Sequence, residues 1–463
     1  MSSERRPNRG LVVATILLGA CAPEPAADKP WPVPPLSELP VPSGSVSIPE
    51  PETAPDLDPA DGIVAVSLVA DEMSFERAGI AIDGYAFNGQ VPGPTIRAKV
   101  GDVLEVEVTN DLDQDTTVHW HGLEVPWEQD GITWMSDPIA PGETRLYTFP
   151  LTHAGTFWYH PHMDVAHQVD WGLYGALVVT DPSEPTTDVD RVFVLDDWCA
   201  PHAEEEAKDE HHADTTEGVW TVNGVAGGQV VLEAGTTTRA RFLNVSNHGY
   251  VDLDLGGRVI ANDQGLADAL GDEAILGPGD RIEVEWDAGT TAWDVIDHPY
   301  TLAGATTGWM ADQTLFHVAV EGTASTAAPV DWPFADDVPT ADPRETDVLY
   351  VLQGDGDSML INGEVYPDVT IQEIPLGAPS IVEVRNLSAT EHTFHLHGMR
   401  FEILSIDGVP PTKATFEDTV NLPIRSVARL QVVPPNAGDW MAHCHILDHE
   451  DVGMMTVLRV TDP

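Results

Sequence analysis

The sequence predicts an all-β protein built from several β-sandwich domains, and three observations support that prediction. Short alternating runs rich in Val, Thr and Ile are separated by Gly, Pro, Asn and Asp, a pattern typical of β-sandwiches. Regular helical periodicity is scarce. The region between about residue 62 and the C-terminus is also too long for one sandwich, so several domains are expected.

The chain repeats one strand pattern three times, and this repeat predicts the domain organisation. The middle copy keeps the strands but has aspartates where the other two copies have histidines. The copies comprise residues 91–96, 101–106 and 118–122; residues 228–231, 239–244 and 251–255; and residues 366–371, 381–386 and 394–398.

We therefore expect three sandwich domains, over residues 62–182, 183–335 and 345–463. A segment rich in Ala, Pro and Asp, residues 323–343, is the predicted linker between the last two. The sequence also contains four His-x-His pairs, which are described below and lie only in the first and third predicted domains. A site that uses all four pairs must therefore lie at the interface of those two domains. The middle domain is expected to carry no metal ligands and to act as a spacer.

The N-terminus is predicted to direct export and to carry a lipid. Residues 1–21 combine three arginines with a short apolar run, Leu11 to Ala20, that ends at Cys21. Residues 18–21 resemble a bacterial lipobox, in which Cys21 is lipidated after cleavage. The alternative is an ordinary signal peptide with an incidental cysteine, and Arg5-Arg6 leaves twin-arginine export open.

Residues 22–61 are predicted to be a disordered, semi-rigid spacer, because residues 22–60 contain twelve prolines and little periodicity. Such a spacer would hold the domains away from a membrane surface. We expect an envelope protein of the periplasm, tethered to a membrane through lipidated Cys21. A monomer is expected.

The composition is strongly acidic and excludes some partners. Asp and Glu total 76 against 21 Lys and Arg, which gives a formal net charge of −55. Such a chain repels nucleic acid and anionic membranes and attracts cations. We therefore expect no nucleic-acid partner.

One C-terminal stretch, residues 443–455, concentrates metal-binding side chains. Cys444, His449 and Met454 are spaced five residues apart, and two His, one Cys and a weak axial Met form a blue-copper electron-transfer site. In an extended strand alternate side chains point to opposite faces. Cys444 is therefore expected to face one metal site while His443 and His445 face another.

Three further His-x-His pairs lie in β-favouring stretches, where a spacing of two places both imidazoles on one face. His392 lies three residues before one of them and is expected on the opposite face, where it can complete the Cys444 site. The pairs are His119 and His121, His160 and His162, and His395 and His397.

These segments resemble the four copper motifs of the multicopper oxidases, in the order found in that family, and the likeness runs from about Gly62 to the C-terminus. The resemblance implies cupredoxin-like Greek-key domains, O2 as the electron acceptor and about four copper ions per chain: one type 1, one type 2 and two type 3. The type 1 ligands implied are His392, Cys444, His449 and Met454. The type 2 ligands implied are His119 and His395, and the type 3 ligands are His121, His160, His162, His397, His443 and His445.

Two acids match positions that carry proton-relay roles in bacterial members of the family. They are Asp130, nine residues after His121, and Glu450, directly after His449; catalytic roles are predicted for both.

Two classes of electron donor are left open by the sequence. A laccase-like oxidase would take phenols or aromatic amines, and a metallo-oxidase would take Cu(I), Fe(II) or Mn(II). The ten methionines are scattered, whereas cuprous oxidases of this family often carry a methionine-rich insertion, so the laccase-like interpretation is favoured. His202, His211 and His212 lie in an acidic loop whose role stays open.

Overall fold

The computed structural model describes residues 46–77, 80–199, 218–267, 273–302, 305–307, 312–324, 326–334, 344–354 and 358–462. Nearly all regular structure in these ranges is β-strand, which confirms the predicted all-β class. The large sheets occur in three consecutive pairs along the chain, and each pair is called a domain here: the first, the middle and the third. Within these ranges, no helix is long and apolar enough to cross a membrane.

The first pair of sheets contains four strands each, in the orders β2-β1-β4-β6 and β3-β8-β7-β5. Alternation along β4 shows why they pack face to face, since Leu104, Val106 and Val108 are buried while intervening residues are more exposed. The elements are β1 (Ile63–Arg77), β2 (Ile80–Phe87), β3 (Gly93–Lys99), β4 (Val103–Asn110), β5 (His119–His121), a 3-10 helix (Trp127–Gln129), β6 (Thr144–Pro150), β7 (Gly155–His160), α1 (Val165–Asp170) and β8 (Gly175–Thr180).

The middle pair has a six-stranded sheet, β10-β9-β12-β17-β14-β15, and a five-stranded sheet, β11-β21-β18-β13-β16, with a separate hairpin, β19-β20. Stacked Phe193, Phe242 and Phe316 fill its core beside Trp286. The strands are β9 (Val189–Cys199), β10 (Gly218–Val222), β11 (Gly228–Glu233), β12 (Thr237–Asn244), β13 (Val251–Asp254), β14 (Arg258–Asn262), β15 (Gly265–Leu266), β16 (Glu273–Leu276), β17 (Arg281–Asp287), β18 (Trp293–His298), β19 (Tyr300–Leu302), β20 (Ala305–Thr307) and β21 (Gln313–Glu321).

The third pair repeats the middle arrangement, with the orders β23-β22-β25-β30-β27-β28 and β24-β32-β31-β26-β29. Its core is continuous with that of the first pair, so these two units share a buried interface. The elements are β22 (Val348–Gly354), β23 (Met359–Ile361), β24 (Gln372–Pro375), β25 (Ser380–Asn386), β26 (His392–Leu396), β27 (Phe401–Ile406), β28 (Phe416–Glu417), β29 (Thr419–Leu422), β30 (Val427–Val432), β31 (Gly438–Cys444), α2 (Leu447–Asp451) and β32 (Met455–Thr461).

The spacer prediction is wrong for residues 46–61, which are ordered against two domains. The backbone N–H of Ile48 donates to the carbonyl of Gln229 at 2.9 Å, and that of Ala54 donates to Thr95 at 2.9 Å. Ile48 is buried in the middle core. Proline-rich composition suggested disorder, but these backbone groups are satisfied by neighbouring strands. Cys21 and the rest of the predicted signal peptide lie outside the described residues.

Candidate metal centres

Strand pairing places the predicted ligand motifs side by side. In the third domain β26 pairs with β31, so that Phe394 lies opposite Cys444 and His395 opposite His443. In the first domain β5 pairs with β7, and His119 lies opposite His160. Because side chains alternate along a strand, each pairing puts several imidazoles on one sheet face.

The first centre is a compact triangle formed by Cys444, His392 and His449. Cys444 Sγ lies 3.4 Å from His392 Nδ1 and 3.5 Å from His449 Nδ1, and the two nitrogens are 3.2 Å apart. Cys444 and His392 are fully buried, whereas His449 is partly exposed. Two imidazoles and one thiol in this arrangement fit a single soft metal ion.

Met454 is held next to this triangle by its backbone. The N–H of Cys444 donates to the carbonyl of Met454 at 3.1 Å, and the N–H of Met454 donates to the carbonyl of His449 at 2.9 Å. The Met454 side chain is fully buried in the same core cluster as Cys444. The chain therefore turns through α2 and brings residue 454 back beside residue 444, as the predicted axial position requires.

The second centre brings together all eight histidines of the four His-x-His pairs. Rings from the first domain stack on rings from the third: His119 on His397 with centroids 3.9 Å apart, and His121 on His395 with centroids 3.8 Å apart. His443 and His445 complete the group from β31 and the residue beyond it. The cluster thus lies between the first and third domains.

Several nitrogens of this cluster are buried and have no hydrogen-bond partner among the residues that the structure describes. An unsatisfied buried polar atom is costly unless something else satisfies it. Metal ions would satisfy these nitrogens, and the donor set, made entirely of imidazoles, suits copper. The atoms are Nε2 of His119, His160 and His395, Nδ1 of His121, and both ring nitrogens of His445.

Burial favours the neutral form of His160, His395 and His397, which is the form that binds metal. Burial, and then the neighbouring imidazoles, hold the pKa of His160 and His397 well below the ordinary value. Burial also lowers the pKa of His395 to about 4, although Asp418 opposes this change.

Both predicted acids lie against the histidine cluster. Asp130 is buried, and its Oδ2 accepts a hydrogen bond from His397 Nδ1 at 2.8 Å, while its backbone carbonyl accepts from His119 Nδ1 at 3.0 Å. Glu450 Oε2 lies 3.1 Å from His443 Nδ1. Burial raises the pKa of Glu450, but the adjacent imidazoles of His443 and His162 outweigh it and lower that pKa to about 2.

Sequence reasoning missed a third acid, Asp418, which lies between β28 and β29. Its Oδ1 is 3.0 Å from His121 Nε2, and its backbone carbonyl accepts from His395 Nδ1 at 2.9 Å. Burial raises the pKa of Asp418, yet the guanidinium of Arg281 holds it well below the ordinary value. Asp418 is 297 residues from His121 along the chain, and no local motif marks it.

The middle domain contributes to this centre, so the expectation that it acts only as a spacer is incomplete. Arg281 on β17 reaches Asp418 of the third domain. Gly279, in the turn before β17, has a φ of +90°, and a Cβ added there would lie 3.2 Å from atoms of His121 and His445. His202, His211 and His212 of the acidic loop lie outside the described residues.

Known proteins resemble this chain in both sequence and fold. Residues 72–184 and 338–463 each match the multicopper oxidase family. The chain is 30% identical over 403 residues to the multicopper oxidase mco of Staphylococcus aureus, covering 81% of this chain and 83% of that protein.

Two solved structures resemble the whole fold. One is a multicopper oxidase from Campylobacter jejuni described as a metallo-oxidase (TM-score 0.76, 26% identity, 90% of this chain and 96% of that one). The other is a laccase from Pediococcus acidilactici (TM-score 0.77, 25% identity, 91% of this chain and 95% of that one). Similar structures thus include both donor classes.

Proposed function

The chain belongs to the multicopper oxidases, and from that premise we propose that it couples one-electron oxidation of a small donor to four-electron reduction of O2 to water. Family membership makes it a copper-dependent oxidoreductase. The observation that carries the proposal is the pair of centres, a Cys444 triangle and an eight-histidine cluster, joined by consecutive residues of one strand.

The assignment of ligands follows the motifs and the geometry. His392, Cys444, His449 and Met454 would hold the type 1 copper, and the eight histidines would hold one type 2 and two type 3 ions. Bound copper would supply one-electron redox steps and open coordination positions for O2. Copper analysis of the purified protein tests the assignment: about four ions per chain are expected, and a clearly lower number in fully loaded protein would contradict it.

Electrons are proposed to enter at His449. It is the partly exposed ligand of the triangle, whereas His392 and Cys444 have no exposed surface. Cys444 is covalently joined to His443 and His445, whose rings belong to the second centre. This short covalent link gives electrons a route between the centres, while burial of the cluster excludes bulk water from the place where O2 is reduced.

Asp130 and Glu450 are proposed to accept protons and pass them on during the conversion of O2 to water. Each carboxylate touches a nitrogen of a cluster histidine, at 2.8 Å for Asp130 and His397 and at 3.1 Å for Glu450 and His443. A carboxylate beside the cluster can take up a proton and deliver it to O2 as O2 is reduced.

Laccase-like oxidation of phenols or aromatic amines is the first candidate for the donor reaction, because the chain lacks a methionine-rich insertion. One observation favours the metallo-oxidase alternative. His248 lies 3.8 Å from Asp197 and 4.0 Å from Asp448, the residue before His449. Imidazole and carboxylates near the exposed ligand would attract a cationic donor.

Dioxygen uptake with a phenolic donor, measured with and without added Cu(II), separates the two donors. Fast uptake by the copper-loaded protein without extra copper would support the laccase-like reaction. Uptake that requires added Cu(II) would support a metallo-oxidase in which labile copper carries electrons from the phenol, and would overturn the first candidate.

Export and a membrane tether through Cys21 form a separate part of the proposal, supported by residues 5–21 of the sequence. Expression of the full chain and of a Cys21→Ser variant in a bacterial host fed labelled palmitate tests it. Label on the unmodified chain alone is expected, and label on neither would remove the tether. A monomer is proposed, to be checked by light scattering.

A further inference from the structure

Arg281 is a fully buried arginine of the middle domain that bonds to all three domains. Its Nε donates to the carbonyl of Thr156 on β7 at 2.9 Å, and its Nη1 donates to Asp418 Oδ1 of the third domain at 2.7 Å. Within its own domain it bonds to the carbonyls of Gly279 and Asp263. A buried guanidinium with this many partners is fixed in one orientation.

The Asp418 carboxylate is in turn fixed against a cluster histidine. Its Oδ1 lies 3.0 Å from His121 Nε2. Because an ionised carboxylate can only accept, this contact favours the tautomer of His121 that carries its proton on Nε2. In that tautomer the other nitrogen, His121 Nδ1, offers a lone pair. It is buried and has no hydrogen-bond partner in the described part of the chain. When one ring nitrogen of a histidine donates a hydrogen bond to a carboxylate, that bond fixes the tautomer and the orientation of the ring. The other nitrogen can then bind a metal ion in a defined direction.

We propose that Arg281 is a positioning residue for the histidine cluster: by clamping Asp418 it sets the tautomer and direction of His121 and steadies His395. The middle domain, which supplies no proposed ligand, would thereby tune copper binding in the other two. This inference rests on the proposed function, since it takes the eight histidines as copper ligands.

The simpler alternative is that Arg281 only joins the three domains. Arg241 provides a matched control for that role. It is also a fully buried arginine of the middle domain, and its Nη1 donates to Thr156 Oγ1 on the same strand, β7, at 3.0 Å. It pairs with Glu283 and Asp190 and not with Asp418. Loss of Arg241 should therefore weaken domain contacts without releasing His121.

The experiment compares R281M, R281K and R241M with the unmodified protein, each loaded with copper. Electron paramagnetic resonance reports the type 2 copper, the blue absorption reports the type 1 copper, and competition with a chelator of known affinity reports binding at the cluster. Thermal unfolding of the metal-free proteins reports the structural cost. The unmodified protein must first bind about four ions; if it does not, the proposed function fails independently of Arg281.

In R281M we expect roughly 10- to 100-fold weaker copper binding at the cluster and a changed type 2 spectrum, with the blue absorption retained. R281K should recover part of the loss, and R241M should be less stable but have the unmodified type 2 spectrum. Equal type 2 spectra and copper affinities in R281M and R241M would overturn the proposal. If R281M does not fold, the D418N variant provides the same test, because it preserves the side-chain volume. Unchanged copper affinity in D418N would also overturn the proposal.

Discussion

Substitution of Gly279 by alanine would place a methyl group of the middle domain in close contact with the histidine cluster. A Cβ at this position lies 3.2 Å from His121 Cε1 and 3.2 Å from His445 Cγ and Cδ2, where ordinary contacts begin at 3.4 Å. In a closely packed interior these rings must move by about 0.2–0.5 Å to accept it. A displacement of about 1 Å in an active site can cost 100-fold in rate, so a loss of roughly tenfold is expected here.

The backbone at Gly279 adds a second cost that must be separated from the first. Its φ of +90° lies in the region that disfavours a side chain, which costs about 1–2 kcal/mol of unfolding free energy for alanine. Gly101 is the matched control, because its φ is +94° and a Cβ there meets no atom within 4 Å. G101A and G279A should therefore lose similar stability from the backbone alone.

The assay is dioxygen uptake per bound copper for each variant. G279A should turn over about tenfold more slowly than G101A. Equal turnover per copper in the two variants would refute the reasoning, because the only intended difference between them is the contact with His121 and His445.

Three further predictions concern the centres themselves. Asp130→Asn should reduce turnover on the order of 100-fold while the blue absorption is kept, because an amide cannot hold the transferable proton; full activity in steady-state oxygen uptake would remove Asp130 from the mechanism. Met454→Leu should raise the type 1 potential, since the axial ligand tunes it, and a redox titration showing no change would argue against an axial role. Removal of copper should lower the thermal midpoint by roughly 5 °C or more, because ions that bind only the folded state stabilise it; calorimetry showing equal midpoints for both forms would contradict tight binding at the clusters.

The histidine centres could be predicted because their signals are local. A spacing of two in a strand defines a common face, and the same alternation predicted that His392 and Cys444 lie on the opposite face. The structure brings His392, Cys444 and His449 within 3.5 Å of each other. The alternation of side chains along β-strands therefore predicted most residues of the two proposed centres.

What the sequence did not reveal depends on contacts between distant residues. Asp418 is one of 76 acidic residues and Arg281 one of 21 basic ones, and nothing in their neighbourhoods distinguishes them. Their pairing appears only when three domains meet. The prediction of a disordered spacer was wrong for residues 46–61 for a related reason. Their composition suggested disorder, but their backbone hydrogen-bond partners, such as Gln229, lie far along the chain.

The charges around the histidine cluster give an independent reason to expect cations within it. Three buried carboxylates, Asp130, Asp418 and Glu450, surround eight imidazoles. Arg281 compensates Asp418, whereas no ion pair with Lys or Arg is found for Asp130 or Glu450 within the described part of the chain. Buried anions without counter-charges are strongly destabilising. Metal cations held by the imidazoles would supply that charge. Among the described residues the ion-pair partners of Asp130 and Glu450 are histidines, so these are the two carboxylates whose burial depends most on bound copper.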